Sequence, residues 1–368
     1  MRRPEIDFAT LADDSAIRNL LRRESMPGKI RVRYEREPEF WVGCDATGED
    51  CRVLVAREAD HDEIVGLACR STRRVFVNGS AQRLGYLGQL RVDSRFRGQW
   101  LVSRGFSKLR QLHDADPLPA YLVAIVDGNR EATGVLVQHP RRAFPIFHAV
   151  ANCRTVAILV NRPKPSLRSD ATISVACKSD LEDVARFLNA QGPRRQFSPY
   201  WSEEHLTRLA SYGLGVNNFR IVRRGGEIAG VGALWDQSGF KQTVLEGYSG
   251  WLKLVAPLYN KVAPWLGLTA LPHPGEKLQS AYLSLFCVAN DDLSLSRVLL
   301  RELYNLGQGR GLRYLFVGFD STDPLMAATR NYIHVVYPSR LYLAEWADGE
   351  GIHEQLDRRP VNIDIATL

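Results

Sequence analysis

The densest chemistry in the sequence gathers around one glycine. Between Arg91 and Arg110 stand six basic residues (Arg91, Arg95, Arg97, Arg104, Lys108 and Arg110) against one acid, Asp93, with Gly98 among them. The apolar run Tyr86-Leu-Gly-Gln-Leu-Arg-Val92 leads in, and a helical pattern begins near Leu101. A helix start aimed by a loop glycine presents backbone N–H groups to a phosphate or pyrophosphate, and arginines add charge-assisted bonds. The same residues also read as an ordinary strand–helix connection with a solvated basic face. Both readings stay open at this point.

The elements that position this segment follow from periodicity. Apolar strands over 87–92 and 120–126 flank a helix over 101–113, which implies a right-handed parallel crossover. Ahead of them come a strand over 6–9, an amphipathic helix through Leu20 and Leu21 behind Asp13-Asp14-Ser15, and a hairpin-like pair over 53–56 and 64–68. The polar segment 161–170 holds Pro163 and Pro165, which resist helix and central strand alike. It divides the chain into 1–160 and 171–350, followed by a tail over 351–368. The second part repeats the order: a strand over 173–176, the capping-box pattern Ser179-Asp-Leu-Glu182, and a helix through Val184 and Leu188. A strand pair over 219–222 and 228–233 turns at Gly225-Gly226, and 282–288, 293–306 and 314–319 read as strand, helix and strand. The expected fold is α/β, two copies of one domain. Residues 251–271 read as an inserted helical element.

Together these residues resemble the GCN5-related N-acetyltransferase (GNAT) superfamily. Leu90-Arg-Val92 matches the end of the family's fourth strand and Arg95-Phe-Arg-Gly-Gln-Trp100 its coenzyme-A loop. Asp127-Gly-Asn129-Arg-Glu-Ala132 matches the Asn-x-x-Ala segment after strand five. The resemblance implies two tandem GNAT-like domains, each a mixed, splayed sheet flanked by helices, with the second degenerate. It implies acetyl-CoA or another acyl-CoA as co-substrate, held by Leu90, Arg91 and Val92 along the carrier arm. Arg95, Arg97, Gly98, Gln99, Trp100 and Leu101 would surround the pyrophosphate, and Asn129 would face the arm from the other side. The expected reaction is direct acyl transfer to an amine, on a small molecule or a peptide. Glu37, Glu39, Phe40 and Trp41 would contact a cationic acceptor.

Departures from the family pattern are visible too. Trp100 stands at a small-residue position, and Ala124 and Leu136 stand where many members carry a glutamate base and a tyrosine acid. Asp127 and Gln89 are the remaining catalytic candidates. These departures motivate an alternative, a non-catalytic acyl-CoA-binding or regulatory protein. In the second half, Ala289-Asn-Asp-Asp-Leu293 replaces the loop with acids that would repel a pyrophosphate. Gly307-Gln-Gly-Arg-Gly311 reads as a helix C-cap and turn.

Composition bounds the rest. Of 368 residues, 45% are hydrophobic and 24% charged, enough apolar residue for sizeable cores, and the formal charge is +7. A basic excess suits a polyanionic ligand. It also motivates a nucleic-acid-associated reading, against which Glu35, Glu37 and Glu39 interrupt the basic, aromatic run 29–41. Six cysteines without Cys-x-x-Cys spacing suggest reduced core thiols, no metal and a cytoplasmic protein. His139 reads as a surface residue. No segment has the apolar length of a membrane span.

Overall fold

Two kinds of sequence pattern build the architecture. Val53-Leu-Val-Ala56 is buried residue after residue, the mark of a strand covered on both faces. Ile17, Leu20 and Leu21 instead share one face of a helix and bury only that face. The computed structural model describes residues 3–24, 30–58, 63–97, 100–138, 144–263, 265 and 270–368.

The first half runs β1 (Glu5–Phe8), α1 (Asp14–Arg23), β2 (Ile30–Glu35), α2 (Phe40–Thr47), β3 (Glu49–Glu58) and β4 (Glu63–Val77). It continues with β5 (Ser80–Val92), α3 (Leu101–Ala115), β6 (Tyr121–Val126), α4 (Arg130–Thr133) and β7 (Ile146–Leu159). The second half runs β8 (Thr172–Val175), α5 (Leu181–Gln191), α6 (Glu203–Arg208), β9 (Phe219–Arg224), β10 (Glu227–Trp235) and β11 (Gln242–Tyr248). After it come α7 (Trp251–Val262), β12 (Ser280–Val288), α8 (Leu293–Gly309), β13 (Tyr314–Asp320), β14 (His334–Glu345) and α9 (Ile352–Gln355). Segment 161–170 contains neither helix nor strand.

Twelve strands form one mixed sheet in the order β1-β3-β4-β5-β6-β14-β7-β13-β12-β10-β9-β8, and β2 pairs with β11 in a separate antiparallel ribbon. The order is symmetric about its centre, except that the halves exchange their last strands. β14 lies against β6, from Ser339↔Val126 to Ala344↔Tyr121, and β7 lies against β13, from Tyr314↔Leu159 to Asp320↔Cys153. The sheets expected for the two halves are therefore joined edge to edge. Each exchanged strand covers an edge that would otherwise expose unpaired backbone groups.

Packing holds the layers at close range. Leu295, Leu299, Leu300 and Leu303 of α8 are buried against the sheet. A Cβ on Gly232 would come 2.9 Å from Leu303 Cδ1, so that strand position admits only glycine without rearrangement. Of the glycine run expected to cap α8, Gly307 and Gly309 lie inside the helix, whose C-cap is Arg310, and Gly311 makes the turn at φ +74. Only α7 forms within 251–271 among the described residues, and it leaves Trp251, Leu254 and Leu258 exposed.

Gly85 is a second contact of this kind. It pairs with Tyr121 where β5 meets β6, and a Cβ there would sit 2.1 Å from the fully buried Tyr121 ring. A Gly85→Val variant is expected to lose about 3 kcal/mol, the upper end for overpacking. The urea unfolding midpoint measures this; an unchanged midpoint would show that the ring yields freely.

Candidate functional site

The site begins where two parallel strands separate. β5 and β6 pair at Gly85↔Tyr121 and Tyr86↔Leu122 and at no later register among the described residues. At the same place β5 slips against β4 between the pairs Leu67↔Arg91 and Cys69↔Gly88, a bulge in which Gln89 takes φ +57. The bulge turns Leu87 to Val92 away from β6, and a cleft opens beside α3. It encloses about 800 Å³ of empty space, part of it open to solvent. Leu54, Leu67, Leu87, Leu101, Phe106 and Val123 give it an apolar lining.

The expected carrier residues lie around this cleft, with altered roles. Leu90, Arg91, Val92 and Leu101 line it. Arg91 Nη1 donates to the Leu90 carbonyl at 2.8 Å, and burial pushes its guanidinium below the usual range. Arg95 is held by Asp93 through Nε and Nη2 at 2.9 and 2.8 Å, and by Glu63 at 2.8 Å. Arg97 pairs with Glu24 and with Glu131. These two arginines orient the loop, and their charge is already matched. Gly98 and Gln99 lie outside the described residues, as does His139. Trp100 stacks between Arg3 and Arg104, each 4.9 Å from its ring, so the indole packs on the chain's own cations. Trp100 makes no side-chain cap at the start of α3 among the described residues, and Leu101 and Val102 of that positive helix end line the cleft. Asn129 Oδ1 caps α4 by accepting from the Ala132 N–H at 3.1 Å. Asp127 is exposed in the turn after β6, its N–H donating to the Pro338 carbonyl. Ala124 is exposed and Leu136 is buried.

The second half repeats this geometry and fills it. Among the described residues β12 and β13 pair only from Ser280↔Tyr314 to Tyr282↔Phe316, and β12 bulges against β10 with Leu285 at φ +56. Here Asp364 of the tail accepts from Ser284 Oγ at 2.6 Å and from the Leu285 N–H at 3.3 Å. Ile363 and Ile365 press on Gly318 of β13. At the start of α8, Asp292 accepts from the Ser294 and Leu295 N–H groups, which with the Ser294 hydroxyl hold its carboxyl at about 2. The chain's own carboxylates thus occupy both the bulge N–H and the helix end.

The acceptor candidates are placed differently from expectation. Phe40 is 1% exposed in the core, so it is corrected from an acceptor contact to packing. Trp41 packs on the same cluster. Glu37 binds Arg18 and Arg22, while Glu39 is exposed just before α2. The groups that do face the region between the two bulges come from β2, β4, β5, β12 and the chain around the ribbon. Arg73 stacks on Tyr86 at 4.4 Å and Lys241 on Tyr282 at 4.6 Å. Arg36 lies close enough to Tyr34, Tyr86, Arg91, Lys241 and Tyr282 to act on their ionisation. Burial, with Arg36 adding to it, pushes the Lys241 amine down to about 7.

No protein-family model and no curated protein matches the chain. Solved structures do. A GCN5-related N-acetyltransferase from Sphaerobacter thermophilus superposes with TM-score 0.57 at 15% identity, covering 100% of this chain and 99% of its own. The chain has the GNAT fold. Saccharomyces cerevisiae N-myristoyltransferase with bound myristoyl-CoA gives TM-score 0.63 at 11% identity, covering 94% of this chain and 78% of its own. A glucosamine N-acetyltransferase region of a fungal multi-domain β-N-acetylglucosaminidase gives 0.62 at 12%, covering 93% and 38%. On this GNAT frame the bulged, diverging strands are the common element of both halves.

The frame also assembles groups that sequence spacing hid. Cys44, Cys51 and Cys69, expected as separate core thiols, bring their Sγ atoms within 4.8 Å of one another. The neighbouring Cys44 and Cys69 thiols push the Cys51 thiol down. His148 stacks on His353 at 3.3 Å beside the buried Glu345, whose carboxylate meets His353 Nδ1 at 3.1 Å. They come from α2, β3, β4, β7, β14 and α9, so no local motif announces them.

Proposed function

We propose that this chain is an acyl-CoA-dependent N-acyltransferase that takes its co-substrate in the first half and transfers the acyl group directly to an amine. The observation that carries this reading is the contrast between the two bulged clefts. The first is apolar, beside an uncapped helix start, while the second is filled by Asp292 and Asp364. The structures that share the fold include N-acetyltransferases and an N-myristoyltransferase with bound myristoyl-CoA, which supports the reaction class. Acetyl-CoA is the first donor to test. Longer acyl chains are the second, because the lining through Leu67, Phe106 and Val123 is apolar. We further propose that 1–160 and 171–350 are two copies of one unit joined by 161–170, with the tail 351–368 closing the second.

In this reading the pyrophosphate meets the first N–H groups of α3, and the pantetheine arm lies along Leu90 to Val92. The thioester carbonyl reaches the bulge, where a backbone N–H stabilises the oxyanion of the tetrahedral intermediate. An amine attacks that carbonyl directly, and the thiolate leaves. Asp127 and Gln89 gain no catalytic partner from the geometry. Among the described residues no helix is long and apolar enough to cross a membrane. The pairing of Arg95, Arg97 and Arg110 with carboxylates weakens the nucleic-acid reading.

Two measurements test the proposal. Calorimetry is expected to show acyl-CoA binding, and thiol release should appear with at least one amine of a broad panel. Binding without thiol release would mark a carrier-binding regulatory protein. Absence of binding would refute the site.

A further inference from the structure

Three cations converge between the two bulges, and two of them keep buried donors without a hydrogen-bond partner. Arg36 is 4% exposed, and its Nη1 has no hydrogen-bond partner; Arg73 Nε is likewise buried without one. Lys241 reaches the face of Tyr282. Burial disfavours the charged form of all three, pushing each cation's pKa down. The phenols of Tyr34, Tyr86 and Tyr282 stand among them and are held protonated by burial, so they too are donors.

The anions nearby are committed elsewhere. Asp364 acts on Arg73 and Lys241 but already accepts from Ser284, Leu285 and Ala366. Glu24 acts on Arg91 and is bound by Arg97. Arg73 also donates to the Thr367 carbonyl. The region is thus rich in donors, and its unpartnered buried acceptor, Gln237 Oε1, is an amide oxygen without charge. A buried cation without its partner is costly, and an incoming anion removes that cost.

We infer that the amine acceptor also carries an anionic group, a carboxylate or a phosphate, which Arg36, Arg73 and Lys241 hold under the β2–β11 ribbon. The inference rests on the acyltransferase reading and names the acceptor class of that same site. Geometry favours it twice over. Tyr86 and Arg91 flank the bulge on β5, so an anion held beside them leaves the amine a short reach from the thioester. The positive surroundings also favour the neutral form of the attacking amine, which is the nucleophile.

The test compares matched acceptors in thiol release: glycine with glycinamide, 4-aminobutyrate with butylamine, phosphoethanolamine with ethanolamine, and spermidine as a cation. The anionic member of at least one pair should exceed its neutral partner at least about tenfold in kcat/KM, the effect of one charge-assisted contact. The carboxylate and phosphate arms tell which anion is meant. Lys241→Met and Arg73→Met should bring that ratio close to one, mainly through KM for the anionic acceptor. Preference for neutral or cationic amines would overturn the inference and leave acyl transfer intact. If coenzyme binds and no amine reacts, thermal shifts by N-acetylglycine and N-acetylglycinamide decide. A shift with the anion alone, lost in Lys241→Met, keeps the anion site while the acyltransferase reading falls. Equal shifts overturn the inference.

Discussion

Replacing Gly105 with phenylalanine is expected to leave the protein folded and to lower acyl transfer at least about a hundredfold. Gly105 lies in the middle of α3 and lines the apolar cleft, and a Cβ built there meets no atom within 4 Å. A benzyl group therefore enters empty space rather than a packed core. Removing a glycine from a helix interior should stabilise α3 by roughly half a kcal/mol, given the propensity difference. The same ring occupies the volume assigned to the carrier arm and acyl group. Displacing reacting atoms by even an ångström lowers rates by about two orders of magnitude. The checks are thiol release at saturating amine and a thermal melt on the same preparation. Full activity with an unchanged melt would move the donor out of this cleft.

An Asp116→Ala variant is expected to lose about 3 kcal/mol of stability, because it strands a buried cation. Arg70 is 1% exposed, and its Nη2 donates to the Asp116 carboxylate at 2.8 Å and to the Asp116 carbonyl at 2.9 Å. Its Nε and Nη1 have no other hydrogen-bond partner, and Asp50 is 3.9 Å away. The carbonyl bond survives the substitution, which keeps the loss at the low end for a broken buried pair. Arg83 on the other side, then Arg70, hold the Asp116 carboxyl down at about 2. A carboxyl with a folded pKa below its unfolded value of about 3.9 contributes stability fully above that pH. This contribution fades as pH falls from about 4 towards 2, so the variant's stability should depend less on pH over that span. Denaturant midpoints at pH 7, 4 and 3 measure both effects; parallel curves for variant and parent would refute the pairing.

Local patterns made the elements around the first-half cleft legible. The strand into Val92, the helix from Leu101 and the Asp127-Gly-Asn129 turn are contiguous in sequence, and each formed where its pattern placed it. The positions of β9, β10, β12 and β13 followed in the same way from apolar runs. The charges of the loop misled because near neighbours neutralise them: Asp93 lies two residues before Arg95 and takes its guanidinium. Ile30-Arg-Val-Arg-Tyr-Glu35 alternates as a strand should, yet its partner β11 is a ribbon strand from the other half, and alternation alone names no partner. Phe40 was misplaced because an aromatic beside acids looks like a surface anchor until α2 turns it into the core. The strand exchange and the donor-rich region depend on contacts across the whole chain. Neither has a signature within any one segment.

The exchanged strands set a schedule for biosynthesis. On the ribosome, β6 emerges far ahead of β14, whose Ser339 to Ala344 complete its ladder. β7 likewise waits for β13. A nascent chain that has released only the first half holds two incomplete ladders, so it gains from chaperone shielding until the final strand arrives. Once complete, each half's last strand is hydrogen-bonded into the other half's part of the sheet. A protease nick within 161–170 would sever the covalent link and leave the two halves laced together.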